Sequence, residues 1–181
     1  GIRRERVKSG DHPVVFGYLT GASHIKGYEV LLDSFSKLDQ SRARLVAYGF
    51  DETGYFRDKY SSLNAEFYSA YNTKQLNEIL SGIDVGVVPS IWEEVFGIVG
   101  IEFLTAGIPV IGSNIGGIPE WLKDRENGLL VRARDGEDLT RKMKTFVTDP
   151  ELRSRMSNNI RPWKSMDEHV EEMKSLYERV L

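Results

Sequence analysis

Two glutamates are the side chains in this sequence whose spacing most clearly suggests chemistry. Glu94 lies in a loop after an apolar run, and Glu102 lies about one turn inside the helix predicted to follow that loop. On one straight helix they would stand about 12 Å apart, but with Glu94 in the loop they can contact different parts of one ligand. Desolvated carboxylates bind vicinal hydroxyl groups with roughly 1.5–3 kcal/mol per charged hydrogen bond. A hydroxyl-bearing ligand is one interpretation, and two surface glutamates beside a helix start are the other.

Two predicted helix starts carry features that bind phosphate. The glycine-rich segment from Gly17 to Gly27 lets the backbone approach a ligand closely. It contains Lys26 at the start of the next helix, where positive charge opposes the helix dipole unless an anion offsets it. Free backbone N–H groups near Gly97–Val99 form the second such helix start. The alternative for Lys26 is a solvated lysine near an ordinary turn.

A third strand end repeats this arrangement. The segment Gly112–Glu120 again joins an apolar strand, a glycine-rich loop and a helix start. In an open parallel sheet, ligands bind outside the carboxyl ends of the strands. The segment can therefore line the same crevice, or it can be no more than a tight connection.

Several motifs are absent, and their absence narrows the function. The sequence has neither the GxxxxGK[ST] phosphate loop nor a GxGxxG turn after the first strand, so ordinary NTPase and dinucleotide-binding functions are disfavoured. It has no Asp-x-Asp pair to hold a divalent cation, and its three histidines show no metal-ligand spacing. No hydrolase elbow motif is present. We therefore predict a site that holds no metal ion.

Short apolar runs and amphipathic segments alternate along the chain, and they must position these loops. Six runs have the composition of buried strands; they begin at Pro13, Arg44, Ala65, Ile83, Pro109 and Gly128. Such strands, alternating with helices, are typical of a parallel sheet covered on both faces. We therefore predict an α/β, Rossmann-like, doubly wound parallel sheet of about six strands. Three helices without strands end the chain, one of them after an Asp149-Pro150 cap.

The composition is that of an ordinary globular protein. The chain has 181 residues, a net charge of -3 and no cysteine, which suggests about one domain in a reducing compartment. The mildly acidic balance argues against a nucleic-acid partner, and no apolar run approaches the ~20 residues of a membrane helix. We divide the chain into a linker over residues 1–12 and one domain over residues 13–181, and we expect a cytoplasmic protein.

The loops also occur in an order that resembles a known family. The motifs are Phe16-Gly17, Lys26-Gly27, Glu94–Glu102, Ala106–Val110, Gly116–Glu120, Asn127–Val131 and Asp149–Arg153. In this order and spacing they resemble the carboxyl-terminal half of GT-B glycosyltransferases of the retaining family 4 (group 1). The resemblance covers residues 13–181. The two glutamates alone are a weak signal, whereas the ordered set is strong.

The resemblance implies a site for a nucleotide-sugar donor, either a UDP-sugar or a GDP-sugar. Glu94 would be the catalytic carboxylate and would bind hydroxyl groups of the transferred sugar, while Glu102 would bind those of the ribose. The nucleobase is expected near Tyr71. The donor is a substrate, and the resemblance implies no metal ion and no other cofactor.

The diphosphate of such a donor would be held by charge and by backbone N–H groups. The residues implied are Lys26, Phe96, Gly97, Ile98 and Val99, with Gly17 and Tyr18 from the end of the first strand. A diphosphate leaving group develops negative charge, which a helix start and a lysine can stabilise without a metal ion.

Two positions depart from the family pattern. Tyr18 stands where relatives commonly have an arginine that binds the diphosphate, and a tyrosine donates one hydrogen bond but carries no charge. Phe103 stands where an alanine is usual after the second glutamate. We therefore expect altered diphosphate binding at Tyr18 and different packing behind the site at Phe103.

The resemblance also implies a larger enzyme. GT-B enzymes have two Rossmann-like domains, so an acceptor-binding domain would precede Gly1, and the terminal helix, about residues 164–180, would contact it. We expect this chain to be the donor-binding half of a glycosyltransferase in polysaccharide biosynthesis, inactive alone. Its acceptor could lie at a membrane surface, which would place the enzyme peripherally at the inner membrane face. The alternatives are a non-catalytic nucleotide- or partner-binding module and half of a nucleotide-sugar epimerase.

Overall fold

The structure is a computed structural model that describes residues 12–50, 53–161 and 166–180. Almost all of the predicted linker therefore lies outside the described residues, as do the first two residues of the predicted terminal helix. Both boundaries stay predictions.

Six strands of the described chain form one sheet. They are β1 (Val14–Tyr18), β2 (Ala43–Tyr48), β3 (Ala65–Tyr68), β4 (Val85–Val88), β5 (Val110–Ser113) and β6 (Gly128–Val131). The spatial order is β3-β2-β1-β4-β5-β6, and every neighbouring pair is parallel. The strand order reverses between β1 and β4, so a crevice opens at the carboxyl ends of these two strands. The predicted Rossmann-like sheet is confirmed.

Helices cover both faces of this sheet. They are α1 (Tyr28–Ser36), α2 (Tyr55–Lys59), α3 (Leu76–Ser81), α4 (Ile98–Thr105), α5 (Ile118–Trp121), α6 (Gly136–Thr148), α7 (Pro150–Asn159) and α8 (Met166–Val180). Helices α1, α2, α6 and α7 pack on one face, and α3, α4 and α5 pack on the other. The helix start predicted within Gly112–Glu120 is confirmed, since α5 begins there at Ile118. The predicted cap before α7 is confirmed, since the Asp149 side chain accepts a hydrogen bond from the Leu152 N–H.

The packing behind α4 shows why Phe103 fits where a smaller residue is usual. Phe103 is fully buried, and its ring lies directly over Gly86 of β4. A Cβ atom on Gly86 would come within 2.8 Å of the ring atom Cε2 of Phe103. The large side chain on the helix and the missing side chain on the strand therefore compensate each other.

Helix α8 leaves apolar side chains exposed. Val170, Leu176, Tyr177 and Val180 are all exposed on it, so no described part of the chain covers these side chains. Its contact with another domain stays a prediction. Among the described residues, no helix is both long enough and apolar enough to cross a membrane.

Candidate functional site

Three loops meet at the carboxyl ends of β1, β4 and β5. We call residues 19–27 the first loop, residues 89–97 the second loop and residues 114–117 the third loop. The Ile91 N–H donates to the Ile25 carbonyl oxygen at 3.0 Å, which joins the second loop to the first. The Gly117 N–H donates to the Glu94 carbonyl oxygen at 2.7 Å, which joins the third loop to the second. The second loop is therefore fixed from both sides.

Two glycines make this contact between loops possible. Gly27 has a φ of +75°, and a Cβ atom on it would overlap the carbonyl oxygen of Pro89. Gly116 has a φ of +55°, and a Cβ atom on it would lie 2.7 Å from the Glu94 nitrogen. Both positions therefore need glycine for conformation and for space. The sequence analysis attributed the glycines to close approach by a ligand, but these two permit close approach of one loop to another.

Gly17 lies near the end of the first strand, as the sequence predicts, and its role at a ligand stays a prediction. It lies inside β1, in register with Val46 and Gly86, and not in the loop that follows. A Cβ atom on Gly17 would lie 2.7 Å from the Cγ2 atom of Ile83. The absence of a side chain is therefore explained by packing against Ile83, and nothing in the structure assigns Gly17 to the crevice.

The Tyr18 side chain lies inside the protein and not at a surface that a diphosphate could contact. Its side chain is fully buried, and its hydroxyl donates to the Gly21 carbonyl oxygen at 2.8 Å. Burial raises the pKa of this phenol far above its ordinary value, so it stays neutral. The predicted contact between Tyr18 and a diphosphate is not what the structure shows, because the only proton of the hydroxyl is already donated inside the protein. Tyr18 instead stabilises the first loop through its hydrogen bond to Gly21.

Lys26 and Glu94 are brought together across the crevice. The Lys26 Nζ atom donates to both carboxylate oxygens of Glu94, at 2.6 and 2.9 Å. The Ser90 hydroxyl donates to the same carboxylate at 2.7 Å. The Glu94 side chain is 16% exposed and that of Lys26 is 31% exposed, so water screens this pair only in part. The sequence predicted both charged residues as site residues, but it did not predict that they pair. It also missed Ser90, for which the one available indication was its position just after a buried strand.

Glu102 has a different environment. It lies on α4 with its carboxylate half buried, and its Oε2 atom accepts no hydrogen bond from any described residue. Burial raises the pKa of this carboxyl above its ordinary value. A buried acceptor without a donor is costly in a folded protein. This oxygen therefore marks the place where a hydrogen-bond donor from a ligand would fit.

The start of α4 offers backbone N–H groups beside these carboxylates. Gly97 precedes the helix with a φ of +78°, and no side chain among the described residues caps it. The carbonyl oxygen of Phe96 accepts a hydrogen bond from the Trp121 indole, which fixes the approach to the helix. The N–H groups at Ile98 and Val99 therefore begin a helix whose dipole favours an anion.

An aromatic group lies next to Glu102, near the ends of β2 and β3. Burial raises the pKa of Tyr71, and the negative charge of Glu102 raises it further, so the two side chains interact. The Tyr71 ring meets the Tyr48 ring edge-on at 5.7 Å, and Tyr48 stacks on Tyr68 at 4.7 Å. The sequence predicted Tyr71 here but not Tyr48, because the residue that faces it is set by the order of the strands.

No metal-binding group accompanies the site. Within the ranges that the structure covers, no three side chains of histidine, aspartate or glutamate form a group that could hold a metal ion. The described residues of the site supply two carboxylates, one lysine and one helix start. Such a set can bind hydroxyl groups and an anion next to each other.

The fold and these loops define a glycosyltransferase domain. The chain matches the family model "Glycosyl transferases group 1" over residues 2–163, and it belongs to that family. It is 31% identical over 142 residues to an uncharacterized glycosyltransferase of Methanocaldococcus jannaschii, a match that covers 75% of this chain and 36% of that protein. The chain thus spans about a third of the length of this relative.

Solved structures share the fold. The sucrose-phosphate synthase of Thermosynechococcus elongatus superposes with a TM-score of 0.79 at 23% identity, over 94% of this chain and 46% of that one. The Anabaena protein HepE, in complex with UDP-glucose, superposes with a TM-score of 0.72 at 20% identity, over 82% of this chain and 43% of that one. The similarity shows that the chain has the fold of one half of such enzymes.

Proposed function

We propose that this chain is the donor-binding domain of a retaining glycosyltransferase, which transfers a hexosyl group from a UDP-sugar or GDP-sugar to a glycan or lipid acceptor. The observation that carries the proposal is the half-buried Glu102 carboxylate, whose Oε2 atom has no hydrogen-bond donor among the described residues, on a helix that begins without a side-chain cap at Gly97. Ribose hydroxyls are donors of the kind this oxygen lacks, and a diphosphate is an anion of the kind the helix start favours.

The chemical roles follow from the positions of the charges. The bond that breaks joins the anomeric carbon of the sugar to the diphosphate, and the leaving oxygen gains negative charge. Lys26 and the N–H groups of Ile98 and Val99 lie where they can stabilise this charge without a metal ion. Glu94, which Lys26 contacts directly, would accept hydrogen bonds from the transferred sugar. The UDP-glucose complex of the similar Anabaena protein supports this class of donor.

Binding is the direct test of this function. Isothermal titration calorimetry of the 181-residue chain with UDP, GDP, UDP-glucose and GDP-mannose should give saturable binding for one base series. The affinity should be the same with EDTA as with Mg²⁺, because the charges that hold the diphosphate belong to the protein. Absence of binding for all four ligands at millimolar concentration would overturn the proposal. A requirement for Mg²⁺ would overturn its metal-independent form.

The enzyme as a whole is proposed to have a second, acceptor-binding domain. The matched relatives are two to three times as long as the aligned part of this chain, and α8 leaves an apolar stripe exposed. Such an acceptor domain would work at the cytoplasmic face of a membrane if the acceptor is a lipid. We expect no sugar transfer by the isolated chain, measured as release of UDP or GDP with a set of acceptors. Turnover by this chain alone would contradict the two-domain proposal.

A second function is favoured by one observation. Tyr18 donates its only hydrogen bond inside the protein, and Lys26 is already paired with Glu94, so the empty site offers a diphosphate no unpaired side-chain cation at these two positions. A module that binds a nucleotide without transferring sugar would have the same features. Conversion of a UDP-sugar by the full-length protein would exclude this alternative. Formation of an epimer without any acceptor would instead identify an epimerase.

A further inference from the structure

The ion pair between Lys26 and Glu94 joins two residues that the donor would need separately. Lysine has three N–H donors, and two of them are directed at the Glu94 carboxylate. In the donor complex proposed above, the lysine would contact the diphosphate and the carboxylate would contact the transferred sugar. In the structure, the cation and the anion of the site are therefore paired with each other.

Binding of a diphosphate changes this balance of charge. Moving the lysine toward the diphosphate leaves the carboxylate with one described hydrogen bond, from the Ser90 hydroxyl. Because Glu94 is largely buried, water replaces the lost bonds poorly, and an unpaired charge there is costly. The negative diphosphate next to it adds repulsion. Hydroxyl groups of a bound sugar are donors, so they restore what the carboxylate has lost.

We propose that Lys26 changes partner from Glu94 to the diphosphate when the donor binds, and that this exchange makes the site favour a nucleotide that carries a sugar over one that does not. The inference rests on the proposed donor site. The sugar-bearing donor supplies new partners for Glu94, whereas the nucleoside diphosphate left after transfer supplies none. The exchange therefore weakens binding of the product and favours its release.

The decisive variant is Glu94→Gln, which keeps the shape of the side chain and removes its charge. Lys26 then has no ion pair to break, so the affinity for the nucleoside diphosphate should rise about tenfold. The affinity for the nucleotide sugar should not rise, since a charged contact with the sugar is lost. Glu93→Gln is the matched control, because Glu93 is the exposed neighbour and its removal changes the net charge equally. That control should bind both ligands as the wild type does.

A second variant tests the positioning role of Ser90. Ser90→Ala removes the one hydrogen bond that remains with Glu94 after the exchange, so UDP or GDP should bind several-fold more weakly. In the Glu94→Gln background, the same serine substitution should have little effect, because no charge remains to be compensated. General damage to the site would weaken binding in both backgrounds. Amide NMR spectra would confirm that each variant is folded.

The outcomes separate this inference from the proposed function. If the wild-type chain binds neither UDP nor GDP, nor their sugars, the proposed donor site is wrong, and the proposed exchange of partners is wrong as well. If the wild type binds but Glu94→Gln does not bind the diphosphate more tightly, only the exchange is wrong. A structure of the UDP or GDP complex in which Lys26 still contacts both Glu94 oxygens would also overturn the exchange.

Discussion

Glu94 and Glu102 belong to one site, but the protein treats their charges in opposite ways. Glu94 is held by Lys26 and Ser90, so its charge is compensated in the empty site. Glu102 has a buried oxygen with no donor from the described residues, and its pKa is raised by burial. In the proposed donor site, the first carboxylate would lose a partner when a ligand binds, whereas the second would gain one.

This difference means that the two carboxylates affect fold stability and ligand affinity in opposite ways. An uncompensated buried acceptor lowers the stability of the empty fold, and a ligand hydroxyl repays that cost on binding. A compensated ion pair stabilises the empty fold and lowers the affinity for any ligand that must break it. Glu102 should therefore control how tightly a nucleoside is held, while Glu94 controls which form of the nucleotide is preferred.

The largest effect should come from removing the space that positions Glu94. Gly116→Ala forces a Cβ atom against the Glu94 backbone at a positive φ, so the free energy of unfolding in urea should fall by about 3 kcal/mol. Binding of a nucleotide sugar should weaken toward that of the bare nucleoside, whose own binding depends on Glu102 and should be unchanged. Gly54→Ala is the control. Its φ is +84° and no described atom crowds it, so about 1 kcal/mol is expected.

The ion pair gives the next largest effect. Lys26→Ala leaves the largely buried Glu94 carboxylate without its cation, and we expect a loss of about 2 kcal/mol in the free energy of unfolding. Adding Glu94→Gln should recover most of this loss. Lys37→Ala, which breaks an exposed pair with Asp33, should cost less than about 0.5 kcal/mol. Equal losses for the two lysines would mean that burial does not distinguish these pairs.

A smaller effect of opposite sign is expected at Glu102. Glu102→Gln removes the uncompensated charge, so the empty protein should become more stable, by less than about 1 kcal/mol because the carboxylate is only half buried. Nucleoside affinity should fall about tenfold, or about 1.4 kcal/mol, when measured by calorimetry. Glu126→Gln, in an exposed turn, should change neither quantity. A Glu102→Gln variant that is less stable than the wild type would contradict this account.

The smallest effect is a dependence of stability on pH. Because the pKa of Glu102 is raised in the folded protein, the folded state binds more protons than the unfolded state between the ordinary glutamate pKa of about 4.3 and that raised value. Stability must therefore fall as the pH rises through this window. Urea unfolding of the wild type and of Glu102→Gln should agree below the window and diverge above it. Parallel curves would show that Glu102 does not carry this effect.

The sequence predicted much of the site because its signals are local. The alternation of apolar runs and helices gave six strands, and the glycine-rich strand ends identified the three loops. Lys26 and Glu94 meet between the first and second loops, and Tyr71 lies beside Glu102. Each of these predictions depends on residues that are close along the chain.

The environments that the sequence did not show depend on residues that are distant along the chain. Tyr18 follows a glycine at a strand end, and nothing near it in sequence shows that its hydroxyl is bonded inside the fold. Gly17 has the same local signal as a loop glycine, but Ile83 occupies the space beside it. Such facts follow from which face of a strand a side chain takes and from what packs against that face.

The sequence by itself determined the class of fold, the family and the chemical groups available for binding. It did so because helical and strand periods, turn residues and motif order depend on residues that are close together in the sequence. Only the tertiary structure decided that Lys26 meets Glu94, 68 positions away, and that Glu102 keeps an oxygen without a donor. The placement of β1 beside β4 brings the first and second loops together. The burial of side chains between these loops determines how far water screens each charge.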